Sequence, residues 1–312
     1  MSERASIPGA GPRGCWVCGG ADLRRWKAGD LDAPLVSADL RITDARYGVT
    51  LPLVRCAACG FRFSDSDEVA RLDELYAGLE DPGYEGSQES RELQMRWLVK
   101  VARAAHPHAR SALDVGAASG LLVAEARRQG LEAQGVEPSA SLVRVAREQA
   151  GVELLHGVLP HPELEDRRFD LVFLVDVIEH VSDPVGLLRL CAERMADGGR
   201  LLLVTPDASS LAARALGRRW WHYRVAHVGY FDHPSLERAC AAAGLRAERW
   251  ARARWFFPVD YLATRVERYL PVAGLNRFAR GAAPLRWLYD RVIPLNLFDS
   301  DAVVLRRSSA AG

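Results

Sequence analysis

The chain has 312 residues, 49% of them apolar and 26% charged, which is enough apolar material for a sizeable core and too much for a disordered chain. Its 41 basic and 40 acidic side chains leave a formal net charge of +1, which argues against a globally basic nucleic-acid binder and leaves room only for a local patch. The length exceeds that of a usual single domain, so one α/β domain with an appendage is expected.

The amino-terminal stretch MSERASIPGAGPRG lacks the basic-then-apolar order of a signal peptide, and no run is long enough to cross a bilayer, so a cytoplasmic protein is expected. Residues 1–14, rich in small residues, proline and glycine, read as a flexible lead. Two matching C-x-x-C-G elements follow, Cys15-Trp-Val-Cys18-Gly19 and Cys56-Ala-Ala-Cys59-Gly60. Each is a tight turn that offers two thiolates to one ion, with the glycine easing a left-handed backbone, and four thiolates suit tetrahedral zinc. The strand-like runs VSADLRIT and GVTLPLVRC between them predict a ribbon that brings the two turns together. A redox-active C-x-x-C would need a thioredoxin-like βαβ unit beside it, and neither pair has one. A closed shell of four cysteines keeps no open position, which gives the metal a structural role.

Helical periodicity runs from Val69 to Ala77 and from Glu89 to Ala105, with LEDPGYEGSQ between. The stretch SALDVGAASGLLVAEARRQGLEAQGVEPS then gives strand, glycine turn, helix and second strand without interruption. The first strand, Ala112 to Val115, carries Asp114 at its carboxyl end, just before a turn of Gly116, Ala117, Ala118, Ser119 and Gly120, where backbone can approach a ligand closely. A helix from Leu121 to Gln129 ends at Gly130. The second strand ends in Glu137, placed to accept hydrogen bonds from both hydroxyls of a ribose, and Pro138 and Ser139 stop it. A dinucleotide fingerprint would put glycine third and sixth in the turn, where Ala118 and Leu121 stand, so a nicotinamide cofactor is disfavoured.

The βα alternation continues through a helix from Ala140 to Gln149 and a strand from Val152 to His156, which makes the fold class α/β with a Rossmann-like, doubly wound, mostly parallel sheet. Phe169 to Val175 is a nearly continuous apolar run, as a central parallel strand requires, and Asp176 at its carboxyl end lies near the ligand crevice by topology. Glu179 and His180 just beyond form either an acid-base pair or packing at the rim. A helix from Pro184 to Met195, capped by Ser182 and Asp183, precedes a strand from Arg200 to Thr205.

The D-V-G-A-A-S-G turn with E-P-S downstream, then D-V-I-E-H-V-S-D-P and G-G-R-L-L-L-V-T-P-D, resembles class I S-adenosylmethionine-dependent methyltransferases over about residues 111–250. The resemblance implies S-adenosylmethionine as cofactor, held by Asp114, Gly116, Ala117, Gly120, Glu137, Pro138 and Asp176. It also implies a cover before the first strand in which Tyr84 touches the cofactor, a plain surface turn being the alternative. Farther on, H-V-G-Y-F-D before a helix that Gly244 ends is similar to an element of zinc-containing sugar C-methyltransferases and of quinone O-methyltransferases. The resemblance makes His227 the candidate catalytic base, with His222 and His180 as alternates. Ala226 stands where the sugar enzymes carry a glutamate, and Tyr223 is one place from the expected position, which counts against transfer to carbon.

Residues 252–298 insert aromatic and basic helical segments before a last strand from Ala302 to Arg306. They read as a lid over the acceptor or as a contact with a membrane surface that holds a lipid-linked substrate, and Asp260, Glu267 and Asp290 favour the lid. Three segments are therefore expected: a zinc-binding module over 1–68, a helical linker and cofactor cover over 69–106, and a methyltransferase domain over 107–312. The expected acceptor is a small molecule or saccharide, and two rivals stay open: a zinc-containing RNA methyltransferase, and a catalytically silent scaffold that binds partners or a nucleotide.

Overall fold

The computed structural model describes residues 14–31, 33–41, 46–80, 88–263 and 291–308. Its parallel strands include β4 (Ser111–Val115) and β7 (Phe169–Val175), which the sequence makes apolar enough to bury in the middle of the sheet, followed outward by β5 (Glu132–Glu137) and the short edge strand β6 (Leu155–His156). Leu171, Val172, Phe173 and Leu174 have no exposed surface. With β8 (Met195–Pro206), β10 (Leu245–Arg252) and β13 (Ser300–Arg307) they form a seven-stranded sheet in the order β10-β13-β8-β7-β4-β5-β6, parallel from β8 to β6, with β13 alone running against its two neighbours β8 and β10. This is the Rossmann-like arrangement expected from the sequence. The chain order reverses at β4, between β5 on one side and β7 on the other, and ligands of open α/β sheets sit outside the strand ends at such a point.

One sheet face packs against α2 (Gln88–Ala105) and α3 (Leu121–Arg128), which bury Leu98, Val99, Leu122 and Val123 against Leu171 and Phe173. The other face packs against α5 (Pro184–Glu193) and α7 (His233–Ala242). The caps of these helices are the ones their sequences call for: Asp183 accepts the Gly186 N–H, and Asp232 and Ser235 form a reciprocal capping box. The shorter helices are α1 (Leu72–Ala77), α4 (Ala140–Val145), which runs on into one π turn over Ala146–Ala150, and α6 (Leu211–Leu216).

A second sheet, in the order β1-β2-β3-β9, joins the cysteine-bearing segment to the rest. β1 (Leu23–Lys27), β2 (Leu53–Cys56) and β3 (Arg62–Ser64) come from that segment, but β9 (Gly229–Tyr230) comes from the loop between β8 and α7. Phe63 pairs with Gly229 and Arg62 with Tyr230. Phe61 lies 4.7 Å from Phe231 between ring centroids, and Trp16 lies 4.6 Å from Phe63. The amino-terminal segment and the large sheet therefore share one continuous apolar core.

Several local expectations change. The described part of VSADLRIT, up to Arg41, is not a strand: Ser37–Leu40 form a 3-10 turn, because the Asp39 carboxylate takes the Val36 N–H while Leu40 buries its side chain. The ribbon strand at LRRWK is hidden in sequence by three charges on five residues; Arg24 and Arg25 face outward, while Lys27 is buried and pairs with Asp30. Helix α5 stops at Glu193 and β8 already begins at Met195. At the two ends of the 252–298 insertion, β11 (Trp255–Pro258) pairs antiparallel with β12 (Val292–Leu295), and the body of the insertion, 264–290, lies outside the described residues.

The turn after β4 is intolerant of a side chain at Gly120. Gly120 has φ of 72°, and a Cβ there would come within 2.4 Å of Val152 Cγ2 and 3.0 Å of Ala146 Cβ. Left-handed backbone costs a substituted residue about 1–2 kcal/mol and overpacking about 1–3 kcal/mol more. Gly120→Ala should therefore lower the unfolding free energy by about 2–5 kcal/mol, as read by urea titration; a loss below 1 kcal/mol would mean that the turn relaxes freely.

Candidate functional site

The glycine turn and the end of β5 are tied together by one carboxylate. Glu137 accepts the Ala118 N–H through Oε2 at 2.8 Å and the Ser139 N–H through Oε1 at 2.9 Å. Each oxygen keeps a further lone pair for a ligand. Ala118 is held at φ 47°, a left-handed conformation unusual for alanine, so the methyl that departs from the glycine pattern is accommodated with strain that this hydrogen bond offsets. Gly116, at φ 76°, could not carry a Cβ without meeting Val177 at 2.6 Å. Backbone is therefore bare where a ligand would lie. Asp114 is buried beneath the turn, and burial first, then the nearby Glu137 charge, push its carboxyl up to about 7. Burial also raises Glu137, against the lowering effect of its two backbone donors.

Asp114, Gly116, Ala117, Gly120, Glu137 and Pro138 thus gather at the ends of β4 and β5, while Asp176 stands at the end of β7 across the switch point. Asp176 takes φ 52°, and its Oδ1 is buried without a hydrogen-bond partner. Burial lifts its carboxyl to about 7, with Arg224 lowering and Asp299 raising it. Tyr84 lies outside the described residues. Just before the undescribed 81–87 stretch, the Leu79 carbonyl accepts the Ser139 hydroxyl at 2.9 Å, so the segment ahead of β4 does reach the Glu137 corner.

Beyond Asp176 the rim becomes a buried polar cluster. Glu179 accepts the Thr205 hydroxyl at 2.9 Å, its other oxygen is buried and unpartnered, and burial followed by the Asp176 charge raises its carboxyl well above the usual range. Glu179, His180 and His227 bring polar atoms within 4.8 Å of one another. His180 Nδ1 meets the Tyr76 hydroxyl at 2.5 Å and the Ala226 carbonyl at 2.9 Å. Burial and Arg224 depress His180 to about 4, and burial, His180 and Arg224 hold His227 well below the usual imidazole value. His227 Nδ1 is buried and open. His222 stacks on His227 with centroids 5.8 Å apart, and its Nε2 lies 3.4 Å from Asp299 Oδ2. Sequence reasoning did not find Tyr76, Arg224 or Asp299, because they come from separate, distant segments and no local motif announces their meeting.

The four cysteines converge as their spacing suggested. Cys15 Sγ is 3.4 Å from Cys59 Sγ and Cys18 Sγ is 3.6 Å from Cys56 Sγ, all four are free of disulfides, and all four sulfurs lie within 4.8 Å of one another. Four sulfurs bonded to zinc at about 2.3 Å in a tetrahedron would stand about 3.8 Å apart, so the donor set fits such an ion. Both of these short contacts run between the two turns. Burial raises Cys15 to about 11 and raises Cys59 as well, while at Cys56 the N–H groups of Cys59 and Ala58 overcome burial and bring the thiol to about 7.

A family model described as a methyltransferase domain matches residues 88–249. The chain is similar to the ubiquinone biosynthesis O-methyltransferase of Xanthomonas axonopodis pv. citri (strain 306), 32% identical over 144 residues that cover 41% of this chain and 60% of that one. It is also similar to the ubiquinone biosynthesis O-methyltransferase of Chelativorans sp. (strain BNC1), 31% identical over 166 residues, 46% of this chain and 66% of that one. The matches thus span less than two thirds of these curated relatives. Among solved structures, the PH0226 protein from Pyrococcus horikoshii OT3 matches 72% of this chain and 93% of its own at 17% identity and a TM-score of 0.49. Among the described residues, no helix is long and apolar enough to cross a membrane.

The raised Asp114 carboxyl has a definite sign in stability. Its reference value is 3.8 and its folded value about 7, so between these the folded state holds the extra proton and stability falls as pH rises. Asp114→Asn should flatten this fall by up to about 1.4 kcal/mol per pH unit, measured by denaturant titration at several pH values from 4 to 7. An unchanged slope would show that Asp114 ionises normally.

Proposed function

The chain belongs to the family of methyltransferase domains, and we propose that it transfers a methyl group from S-adenosylmethionine to a hydroxyl of a small-molecule or saccharide acceptor in a biosynthetic pathway. The observation that carries this reading is the Glu137 carboxylate bridging the glycine turn at the switch point, with a free lone pair on each oxygen for a ribose. The likeness to ubiquinone O-methyltransferases supports oxygen as the acceptor atom. In this reading Gly116, Ala117 and Gly120 give the cofactor bare backbone, Glu137 takes the ribose, and Asp114, Pro138, Asp176 and Tyr84 complete its surroundings. The sulfonium of S-adenosylmethionine supplies an activated methyl group, which leaves the chain's own residues to align the acceptor, exclude water and manage one proton.

His227 is the group proposed to touch the acceptor. Its open Nδ1 lone pair, kept neutral by burial and by the cations around it, can accept the hydrogen bond of a hydroxyl and orient its oxygen. Cys15, Cys18, Cys56 and Cys59 are proposed to hold one structural Zn²⁺, a role that suits a reducing, cytoplasmic setting. The domain division proposed is a module over 1–68, a linker and cover over 69–106 and the transfer domain over 107–312, with the 252–298 insertion as a lid. The near-neutral charge of +1 counts against RNA as acceptor.

Two measurements test the reading. Glu137→Ala should weaken S-adenosylmethionine binding by about 1.5–3 kcal/mol, the scale of a hydrogen bond to a charged group, in calorimetry on folded protein. Unchanged affinity, or tighter binding of NAD, removes the ribose role. Metal analysis of protein purified under reducing conditions should find one zinc per chain and a strong loss in Cys59→Ser; wild type without stoichiometric metal rules the centre out.

A further inference from the structure

The methyl-transfer reading leaves a proton to be placed, and the two stacked histidines are not equivalent hosts for it. A proton on His227 would create a cation beside His180 and Arg224, both of which already disfavour charge there, and its ring is held through the His222 backbone with no carboxylate hydrogen-bonded to it. His222 faces the opposite environment. Its Nε2 lies 3.4 Å from the Asp299 carboxylate, which is 2% exposed and is fixed by the Trp220 indole N–H at 3.2 Å. The Asp299 carbonyl accepts the Asp207 N–H at 2.8 Å, which anchors the residue to the end of β8. The His222 ring stacks on His227 with centroids 5.8 Å apart, which places the pair beside the same polar rim. A buried carboxylate behind one imidazole nitrogen fixes the tautomer and faces the positive charge that forms when the other nitrogen takes a proton.

Resting on the proposed methyl transfer, we propose that His222, positioned by Asp299, takes the proton of the acceptor hydroxyl while His227 orients that hydroxyl. In this arrangement the Asp299 carboxylate, 3.4 Å away, favours the Nε2–H form of His222 and leaves Nδ1 as the basic nitrogen. As the reaction proceeds, the acceptor O–H bond breaks to His222 Nδ1 and the O–CH₃ bond forms. The S–CH₃ bond breaks with its electron pair remaining on sulfur, giving S-adenosylhomocysteine, methylated acceptor and an imidazolium facing the Asp299 carboxylate. The proton then leaves to solvent. Asp299 supplies from the far end of the chain the acid that Ala226 does not provide next to His227.

The test uses the full chain labelled with ¹⁵N-histidine and saturated with S-adenosylhomocysteine. The spectrum of neutral His222 should show the Nε2–H tautomer; Asp299→Asn should abolish this preference, and His227→Gln should leave it. His222 found as the Nδ1–H tautomer, or a spectrum indifferent to Asp299→Asn, overturns the pairing. With 3,4-dihydroxybenzoate as probe acceptor, His222→Gln should lower turnover at least about 100-fold and keep S-adenosylhomocysteine affinity within two-fold. Turnover within a few-fold of wild type overturns the proton role, and lost affinity assigns His222 to the cofactor side instead. Failure of wild-type protein to bind S-adenosylhomocysteine tells against the proposed function, whereas the tautomer, also readable in the free protein, decides the His222–Asp299 pair by itself.

Discussion

The pairing of β3 with β9 is the constraint on which the arrangement of the site depends. Two residues of the loop after β8 complete a sheet whose other three strands belong to the cysteine-bearing segment. The attachment is reinforced along the loop: Ser64 N–H donates to the Val228 carbonyl, Gly48 N–H to the Tyr223 carbonyl, and the Arg224 guanidinium to the Arg41 carbonyl. His222 and His227 thus sit on backbone whose position is set by the amino-terminal segment as much as by the large sheet. The cysteine-bearing segment packs directly on this loop, and a disturbance of the four-cysteine cluster has a direct path, through Phe61 and Phe231, to the residues proposed to face the acceptor.

The electrostatics of the crevice come from the same geometry. Parallel strands deliver their carboxyl ends to one edge, and this chain places an acid at three of them: Asp114, Glu137 and Asp176. Burial makes each a reluctant anion, and only Glu137 has its charge shared by two backbone donors. Buried acceptors left open are costly in the free protein and become binding energy when a ligand supplies hydroxyl or amine hydrogens. Lone pairs at Asp176, Glu179 and His227 remain unfilled along the rim beyond β7, which marks it as a surface that wants donors.

What could be read from the sequence follows the physical range of each signal. The glycine turn, Glu137 and the apolar run of β7 are local patterns with fixed spacing, and the structure gives them the elements expected. The C-x-x-C-G turns declare their chemistry locally, and their convergence over a long gap needed only that both be presented to one point. By contrast, β9 is two residues long and means nothing until β3 lies beside it. Tyr76, Arg224 and Asp299 reach the rim through tertiary packing alone, and no periodicity reports that. The 3-10 turn at Ser37–Leu40 shows a side chain, Asp39, outbidding strand propensity for a backbone N–H.

The interlaced second sheet also orders events in time. Residues 62–64 emerge from the ribosome long before residues 229–230, so the cysteine segment must wait with an unpaired strand edge and exposed Phe61 and Phe63 until most of the parallel sheet has been synthesised. Contacts of such sequence separation form late and slow the search for the native state. The nascent amino-terminal segment is therefore a stretch that chaperones, or early capture of a metal ion by its thiolates, would shelter, and quality control during translation bears on this protein more heavily at its beginning than at its end.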